Sequence, residues 1–80
     1  MSRGFVFVIV EIGREEAVLK ELLKIEGVAE AHVVYGVYDI ICKIERPSME
    51  ALKEIVKEIR RLTEIRSTMT LIAMKGHSEY

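Results

Sequence analysis

The chain contains no asparagine, glutamine or tryptophan, and it has only one cysteine, one proline and one aspartate among its 80 residues. The single cysteine, Cys42, excludes an internal disulfide, so we interpret it as a small buried apolar residue. Scarce thermolabile amides, with charge carried almost wholly by Glu, Lys and Arg, are typical of heat-adapted proteins. The composition therefore predicts a thermophilic source.

Side chains that could bind a metal or catalyse a reaction are few. The two histidines, His32 and His77, lie too far apart in the sequence to indicate a paired metal site. The glutamates mostly fall on helix faces with lysine or arginine three or four residues away, which is the pattern of a solvated helix surface. None of the 5 glycines forms a glycine-rich phosphate-binding loop. We therefore expect no metal, no cofactor and no enzyme activity.

Charge and hydropathy bear on partners and location. The formal net charge of −1 gives no basic field, so we expect neither nucleic acid nor a membrane as a direct partner. An apolar run follows Arg3, but Glu11 interrupts it and no small-residue cleavage site comes after it, so it does not read as a secretory signal. The sequence predicts a cytoplasmic, unprocessed protein.

Hydrophobic periodicity divides the chain into four strands and two helices. Runs rich in β-branched and aromatic residues predict strands over Phe5 to Ile12, Val28 to Tyr35, Tyr38 to Ile44 and Ile65 to Met74. Helical spacing covers Arg14 to Ile25 and a segment that starts at Pro47 and Ser48. The βαββαβ order predicts one ferredoxin-like α+β domain over residues 1–80, with both helices on one face of a four-stranded antiparallel sheet.

The first strand is apolar on both of its sides. Because side chains alternate across a sheet, the strand presents two sets: Val6, Val8, Val10 and Ile12 on one side, and Phe5, Phe7 and Ile9 on the other. Two helices can cover only one face, and the third and fourth strands are similarly apolar. We expect the uncovered face to pack against a second copy about a two-fold axis, with Phe5, Phe7 and Ile9 in the dimer interface.

Two polar segments stand out against this apolar background. Asp39, the sole aspartate, ends the segment Tyr35-Gly36-Val37-Tyr38-Asp39, where a tight turn is predicted near Gly36 and Val37. Turn chemistry alone accounts for these residues. The hydroxyls of Ser67, Thr68 and Thr70 lie at the start of the last strand, where they can equally satisfy nearby backbone groups.

At these residues the chain resembles the effector-binding domain of the leucine-responsive regulatory protein and AsnC family, also called the regulation of amino-acid metabolism domain. The resemblance covers nearly the whole chain. The resemblance rests on four features: Gly27-Val28, the G-x-x-D segment Gly36-Val37-Tyr38-Asp39, the amphipathic second helix and the ending from Ser67 to Lys75. Leu62-Thr63-Glu64 departs from the glycine-containing turn that commonly precedes the last strand in that family.

The resemblance implies face-to-face dimers that assemble into larger, octamer-like rings, with a small effector, usually an amino acid, held between neighbouring dimers. The residues that would contact the effector are Tyr35, Gly36, Val37, Tyr38, Asp39, Thr68, Met69 and Thr70. The family's regulators carry a helix-turn-helix domain ahead of this one, and the chain resembles the stand-alone form. Its effect on transcription would then pass through an effector or through assembly with full-length regulators.

Two other families share the βαββαβ order. An RNA-recognition motif needs exposed aromatic residues in a basic setting; Phe5, Phe7 and Tyr38 are present, but the characteristic R/K-G-F-x-F-V run is absent. An ACT-type amino-acid sensor usually has a proline-glycine pair after the first strand, where this chain has Gly13-Arg14-Glu15. Both interpretations fit the sequence less well than the resemblance above.

Two other functions also remain open. A small dimeric enzyme would need a polar cleft, and His32 and Asp39 alone argue weakly for one. The second alternative is an oligomerisation or adaptor module that assembles with full-length regulators without binding a ligand. The sequence does not decide between that module and an effector sensor.

Overall fold

A computed structural model describes residues 1–75 as one antiparallel sheet with two helices. The strands are β1 (Ser2–Val10), β2 (Val28–Val33), β3 (Ile40–Arg46) and β4 (Ile65–Ile72), and the helices are α1 (Glu15–Leu23) and α2 (Met49–Arg60). The strand order is β2-β3-β1-β4, and each neighbouring pair is antiparallel. The predicted ferredoxin-like fold is confirmed. His77 lies outside the described residues.

The core fills the space between the helices and one face of the sheet. Each of the two central strands contributes every second side chain, because alternate residues point to the same face. Its buried residues are Val6, Val8, Val10, Val18, Leu22, Ile40, Cys42, Ile44, Leu52, Ile55 and Ile59. No polar or charged residue in the described part of the chain is fully buried. The fully buried core therefore lies between the helices and the two central strands, β1 and β3, and the outer strands contribute only partly buried residues.

The two helices begin differently. Ser48 caps α2, since its hydroxyl accepts a hydrogen bond from the Ala51 backbone N–H at 3.2 Å. Helix α1 has no side-chain cap, but Glu15 and Glu16 lie in its first turn, where negative charge is favourable. Neither helix in residues 1–75 is long and apolar enough to cross a membrane.

The uncovered side of the sheet, which we call the open face, is apolar around β1. Phe5 and Phe7 are flanked on the β4 side by Leu71 and Met69, and Ile41 lies beside Phe7 on the β3 side. Phe5 is 40% exposed and Leu71 50% exposed. Ile9 shares this face by alternation. The role of Phe5, Phe7 and Ile9 in a dimer interface stays a prediction.

The ends of the strands differ from the sequence prediction. Ile12 was expected to continue the core side of β1, yet it is 92% exposed. The pairing of β1 with β4 changes register after Ile9 and stops at Val10, and Gly13 then turns the chain with a φ of 83°. Strand β1 therefore ends before Ile12, so alternation no longer determines which way that side chain points.

Cys42 lies in the core of β3, where burial raises the pKa of its thiol to about 11. The reactive species is the thiolate, which is scarce well below this pKa. We expect iodoacetamide at pH 8 to leave the folded protein essentially unmodified and to alkylate it fully in denaturant. Intact mass measured against time checks this. Rapid alkylation of the folded chain would contradict the burial of Cys42.

Candidate functional site

Asp39 fixes the segment that joins β2 to β3, residues 34–39, which we call the hairpin loop. Its backbone carbonyl accepts from the Val34 N–H at 2.8 Å, and its own N–H donates to the Val8 carbonyl at 2.9 Å. Its carboxylate oxygen Oδ2 accepts from the Val10 N–H at 2.9 Å. The hairpin loop is thus tied to the central strand of the sheet.

The tight turn predicted near Gly36 and Val37 is replaced by this longer loop. Residues 34–39 belong to neither strand, so β2 ends at Val33 and β3 begins at Ile40. Asp39 bonds to both sides: its carbonyl accepts from the Val34 N–H, and its own N–H and carboxylate bond to β1. The chain therefore reverses over residues 35–38, a longer connection than a two-residue turn.

A cleft of about 640 Å³, which we call the loop cleft, lies between the hairpin loop and the first turn of α1. This volume is in the range typical of small-molecule sites. Its lining comprises Glu15, Glu16, Val33, Val34, Tyr35, Gly36 and Asp39. Three of these residues carry carboxylates and none is basic. The loop cleft is therefore suited to a ligand with an ammonium group and an apolar portion.

Three of the eight predicted effector residues meet in the loop cleft, namely Tyr35, Gly36 and Asp39. Val37 is largely exposed in the same loop. The ring of Tyr38 instead lies at the open face, where it contacts the ring of Phe7 edge-on. Within one chain, the predicted effector residues of the hairpin loop therefore do not all lie in the loop cleft.

The remaining three residues lie along β4. Met69 is on the open face, and its sulfur accepts a hydrogen bond from the Tyr38 hydroxyl at 3.5 Å. Thr68 and Thr70 pair with Val8 and Val6, so they face the helix side of the sheet. A single chain thus brings Met69 to Tyr38 but does not bring Thr68 or Thr70 into the loop cleft.

Sequence reasoning missed Glu15 and Glu16 as members of this cleft. It interpreted acidic helix residues as solvated surface, which fits their partial exposure but leaves out their neighbours. The available signal was position: a helix that starts immediately after the central strand of this fold begins beside the end of the next hairpin. Residues in the first turn of α1 could therefore have been expected to line any site at the hairpin loop.

A second cleft of about 390 Å³ lies where α2 ends and β4 begins, and we call it the edge cleft. It is lined by Arg60, Ile65, Arg66, Ser67 and Thr68. Its lining residues differ entirely from those of the loop cleft. The two clefts also carry opposite charge.

Comparison with known proteins distinguishes among the families that share this fold. The family profile of the Lrp/AsnC ligand binding domain matches residues 4–80. This chain belongs to the Lrp/AsnC ligand-binding domain family. The resemblance seen in the sequence is confirmed, and the hairpin loop of this Lrp/AsnC domain carries the G-x-x-D segment described above.

Relatives of this Lrp/AsnC domain differ widely in length. It is 29% identical over 76 residues to the HTH-type transcriptional regulator FL11 of Pyrococcus abyssi, a match that covers 95% of this chain and 50% of the regulator. It is 34% identical over 59 residues to a homocitrate synthase of Sulfolobus acidocaldarius, which covers 74% of this chain and 13% of the enzyme. The chain therefore spans about half of one relative and a small part of the other.

A solved structure shows the same fold in a protein of similar size. PHS023 from Pyrococcus horikoshii superposes with a TM-score of 0.87 and 38% identity, and the match covers 96% of this chain and 94% of that one. A protein of about this length therefore adopts the same fold as the Lrp/AsnC domain.

Proposed function

We propose that this Lrp/AsnC domain senses a small amino-acid effector, which it binds in the loop cleft. The observation that carries the proposal is the loop cleft itself: a ligand-sized cavity lined in part by Asp39, the acidic residue of the family's G-x-x-D segment. The domain's match to a ligand-binding family over residues 4–80 supports it. The sensed effector would then alter transcription.

The hairpin loop offers complementary groups for the two ends of an amino acid. Asp39 uses Oδ2 for the Val10 N–H, and within residues 1–75 its Oδ1 accepts no hydrogen bond. That oxygen can accept from an α-ammonium group. The backbone N–H groups of Tyr35, Gly36 and Val37 donate no hydrogen bond among the described residues, so they can receive an α-carboxylate.

Assembly would complete the site. The open face supports a sheet-to-sheet dimer through Phe5, Phe7 and Ile9, because its apolar side chains are partly exposed in the single chain. Dimers that then join into a ring would bring Thr68, Met69 and Thr70 of one subunit toward the hairpin loop of another. We propose that this arrangement holds the effector between dimers.

The route to DNA would be indirect. We propose that this domain affects transcription through the effector or by assembling with full-length regulators of the family. The regulator FL11 is similar to this domain over half of its own length, which supports such mixed assembly. The exposed open face also favours a second candidate, an adaptor that assembles with such regulators and binds no ligand.

Thermal unfolding of the purified protein against a panel of free amino acids tests the proposal. A ligand present at about one hundred times its dissociation constant adds roughly 2.7 kcal/mol to the free energy of unfolding. For a domain of this size, the midpoint should rise by roughly ten degrees or more. We expect one chemical class of amino acid to produce this shift.

Asp39→Asn is the sharpest variant, because the amide oxygen can still accept from the Val10 N–H while the charge is removed. We expect Asp39→Asn to keep its unfolding midpoint without ligand and to lose the ligand-induced shift. Asp39→Ala should also lose about 1–3 kcal/mol of stability, since it leaves a part-buried N–H unpaired.

The outcomes separate the two candidate functions. A full shift in Asp39→Asn would show that this carboxylate does not bind the ligand and would overturn the assignment of the site. If no amino acid shifts the midpoint while the protein still forms a large assembly, the sensor proposal fails and the adaptor remains.

A further inference from the structure

The edge cleft concentrates positive charge at the free edge of the sheet. Strand β4 is the last in the order β2-β3-β1-β4, so one of its edges has no neighbouring strand. The cleft lies against that strand at its start, beside the end of α2, and none of its lining residues is acidic. Its volume of about 390 Å³ falls in the lower range of small-molecule sites.

The two arginines of the edge cleft differ from three of the other four arginines in the chain, and Arg61 resembles them in having no ion pair within residues 1–75. Arg3, Arg14 and Arg46 each form an ion pair with a glutamate. Among residues 1–75, no carboxylate lies within ion-pair distance of Arg60 or Arg66. Two guanidinium groups without a carboxylate partner therefore line one cavity. The negative C-terminal end of α2 offsets part of the charge of Arg60, and the remaining positive charge favours an anion there.

A β-bulge places Arg66. Ile9 pairs with Ser67, whereas the next residue of β1, Val10, pairs with Ile65. Arg66 is therefore the extra residue of β4, with no partner opposite it on β1. A bulge of this kind interrupts the alternation of side chains and re-aims the inserted residue. Arg66 thus belongs to a strand and not to a flexible surface loop, so the sheet determines where its side chain leaves the backbone.

The strand edge adds further donors. The Ala73 N–H donates to the Arg3 carbonyl at 2.8 Å, so by alternation the N–H of Thr68 points away from β1 and toward the free edge. The hydroxyls of Ser67 and Thr68 make no hydrogen bond within the described residues. Both residues line the edge cleft. The cleft thus adds uncommitted hydrogen-bond donors to its two guanidinium groups.

We propose that the edge cleft binds the phosphoryl group of a small molecule. A phosphate monoester carries a charge of about −1.5 to −2 at neutral pH and has three acceptor oxygens, which matches two guanidinium charges better than a single carboxylate does. Planar guanidinium groups also bind phosphate through paired hydrogen bonds. Within one chain this site shares no lining residue with the loop cleft.

Calorimetric titration of the whole chain with inorganic phosphate tests the inference, with ionic strength held constant by sodium chloride. We expect saturable binding, and we expect Arg66→Gln and Arg60→Gln each to weaken it by about tenfold or more. Arg61→Gln is the matched control. It removes the same charge from the neighbouring position, but Arg61 lines a different cleft, with Glu21 and Glu64. The affinity of Arg61→Gln for inorganic phosphate should stay within about twofold of that of the wild type.

Several results would overturn the proposal. Absence of saturable phosphate binding would do so directly. Equal weakening in all three variants would show general charge attraction instead of a site. Binding of a short DNA duplex without binding of inorganic phosphate would assign this surface to nucleic acid. The amino-acid thermal shift, measured in parallel on Arg66→Gln, should be unchanged, so failure here is distinguishable from failure of the effector proposal.

Discussion

Replacement of Phe7 by glutamate should yield a folded monomer where the unmodified protein forms a dimer or a larger assembly. Phe7 lies at the middle of the open face, between Ile41 and Met69, with its ring 5.4 Å from that of Tyr38. A carboxylate buried there without a partner costs about 3–5 kcal/mol. We therefore expect the dimer to dissociate at least a hundredfold more readily.

Leu23→Glu is the matched control for this variant. Leu23 is 52% exposed on α1, on the helix side of the sheet, so the same type of change leaves the open face intact. Light scattering coupled to gel filtration gives the mass of each variant, and circular dichroism reports its folding. If Phe7→Glu is folded and keeps the mass of the unmodified assembly, the open face is not the dimer interface.

Among the four glycines within residues 1–75, Gly27→Ala is expected to be the most destabilising single-methyl change. Gly27 has a φ of 102°, a conformation in which residues with a side chain are strained. A Cβ there would lie 2.7 Å from Cδ of Arg46 and would overlap the Cδ1 atom of Ile55. Backbone strain of about 1–2 kcal/mol and overpacking of about 1–3 kcal/mol together predict a loss of about 2–5 kcal/mol.

Gly13→Ala separates these two contributions. Gly13 has a φ of 83°, but no atom lies within 4 Å of the position its Cβ would take. It should therefore show backbone strain alone, about 1–2 kcal/mol. Denaturant unfolding at one fixed protein concentration measures both variants, since the stability of an assembly depends on concentration. Equal losses in Gly13→Ala and Gly27→Ala would mean that Ile55 moves aside without cost.

The fold could be predicted from the sequence because burial in it follows simple alternation. Fully buried residues on each central strand are separated by an even number of positions, as with Val6 and Val8 on β1 and with Ile40 and Ile44 on β3. Ser48 also caps α2 at the expected place. These features depend on residues that are close in the sequence or on one face of one strand, so one amino-acid sequence is enough to predict them.

The hairpin loop could not be predicted, because its shape depends on a partner far away in the sequence. The sequence Gly36-Val37 suggests a short turn, but Asp39 bonds to Val8 and Val10 of β1, and the loop spans residues 34–39. The carboxylate and the N–H it binds are 29 residues apart. No local pattern reports such a contact.

The candidate site was predicted in part. Tyr35, Gly36 and Asp39 line the loop cleft, because the three belong to one short segment. Glu15 and Glu16 were missed, since their role depends on where α1 begins relative to the loop. The placement of the β4 residues at this site involves a second subunit and stays a prediction.

The bond between Asp39 and β1 links the hairpin loop to both faces of the sheet. Val8 and Val10, which hold Asp39, alternate along β1 with Phe7 and Ile9 of the open face. A ligand that draws Asp39 out of place would therefore strain the strand on which the proposed dimer is built. Thermodynamic reciprocity then applies: if effector binding strengthens dimerisation by some factor, dimerisation strengthens effector binding by the same factor. The sensitivity of such a sensor would rise and fall with the amount of the protein itself.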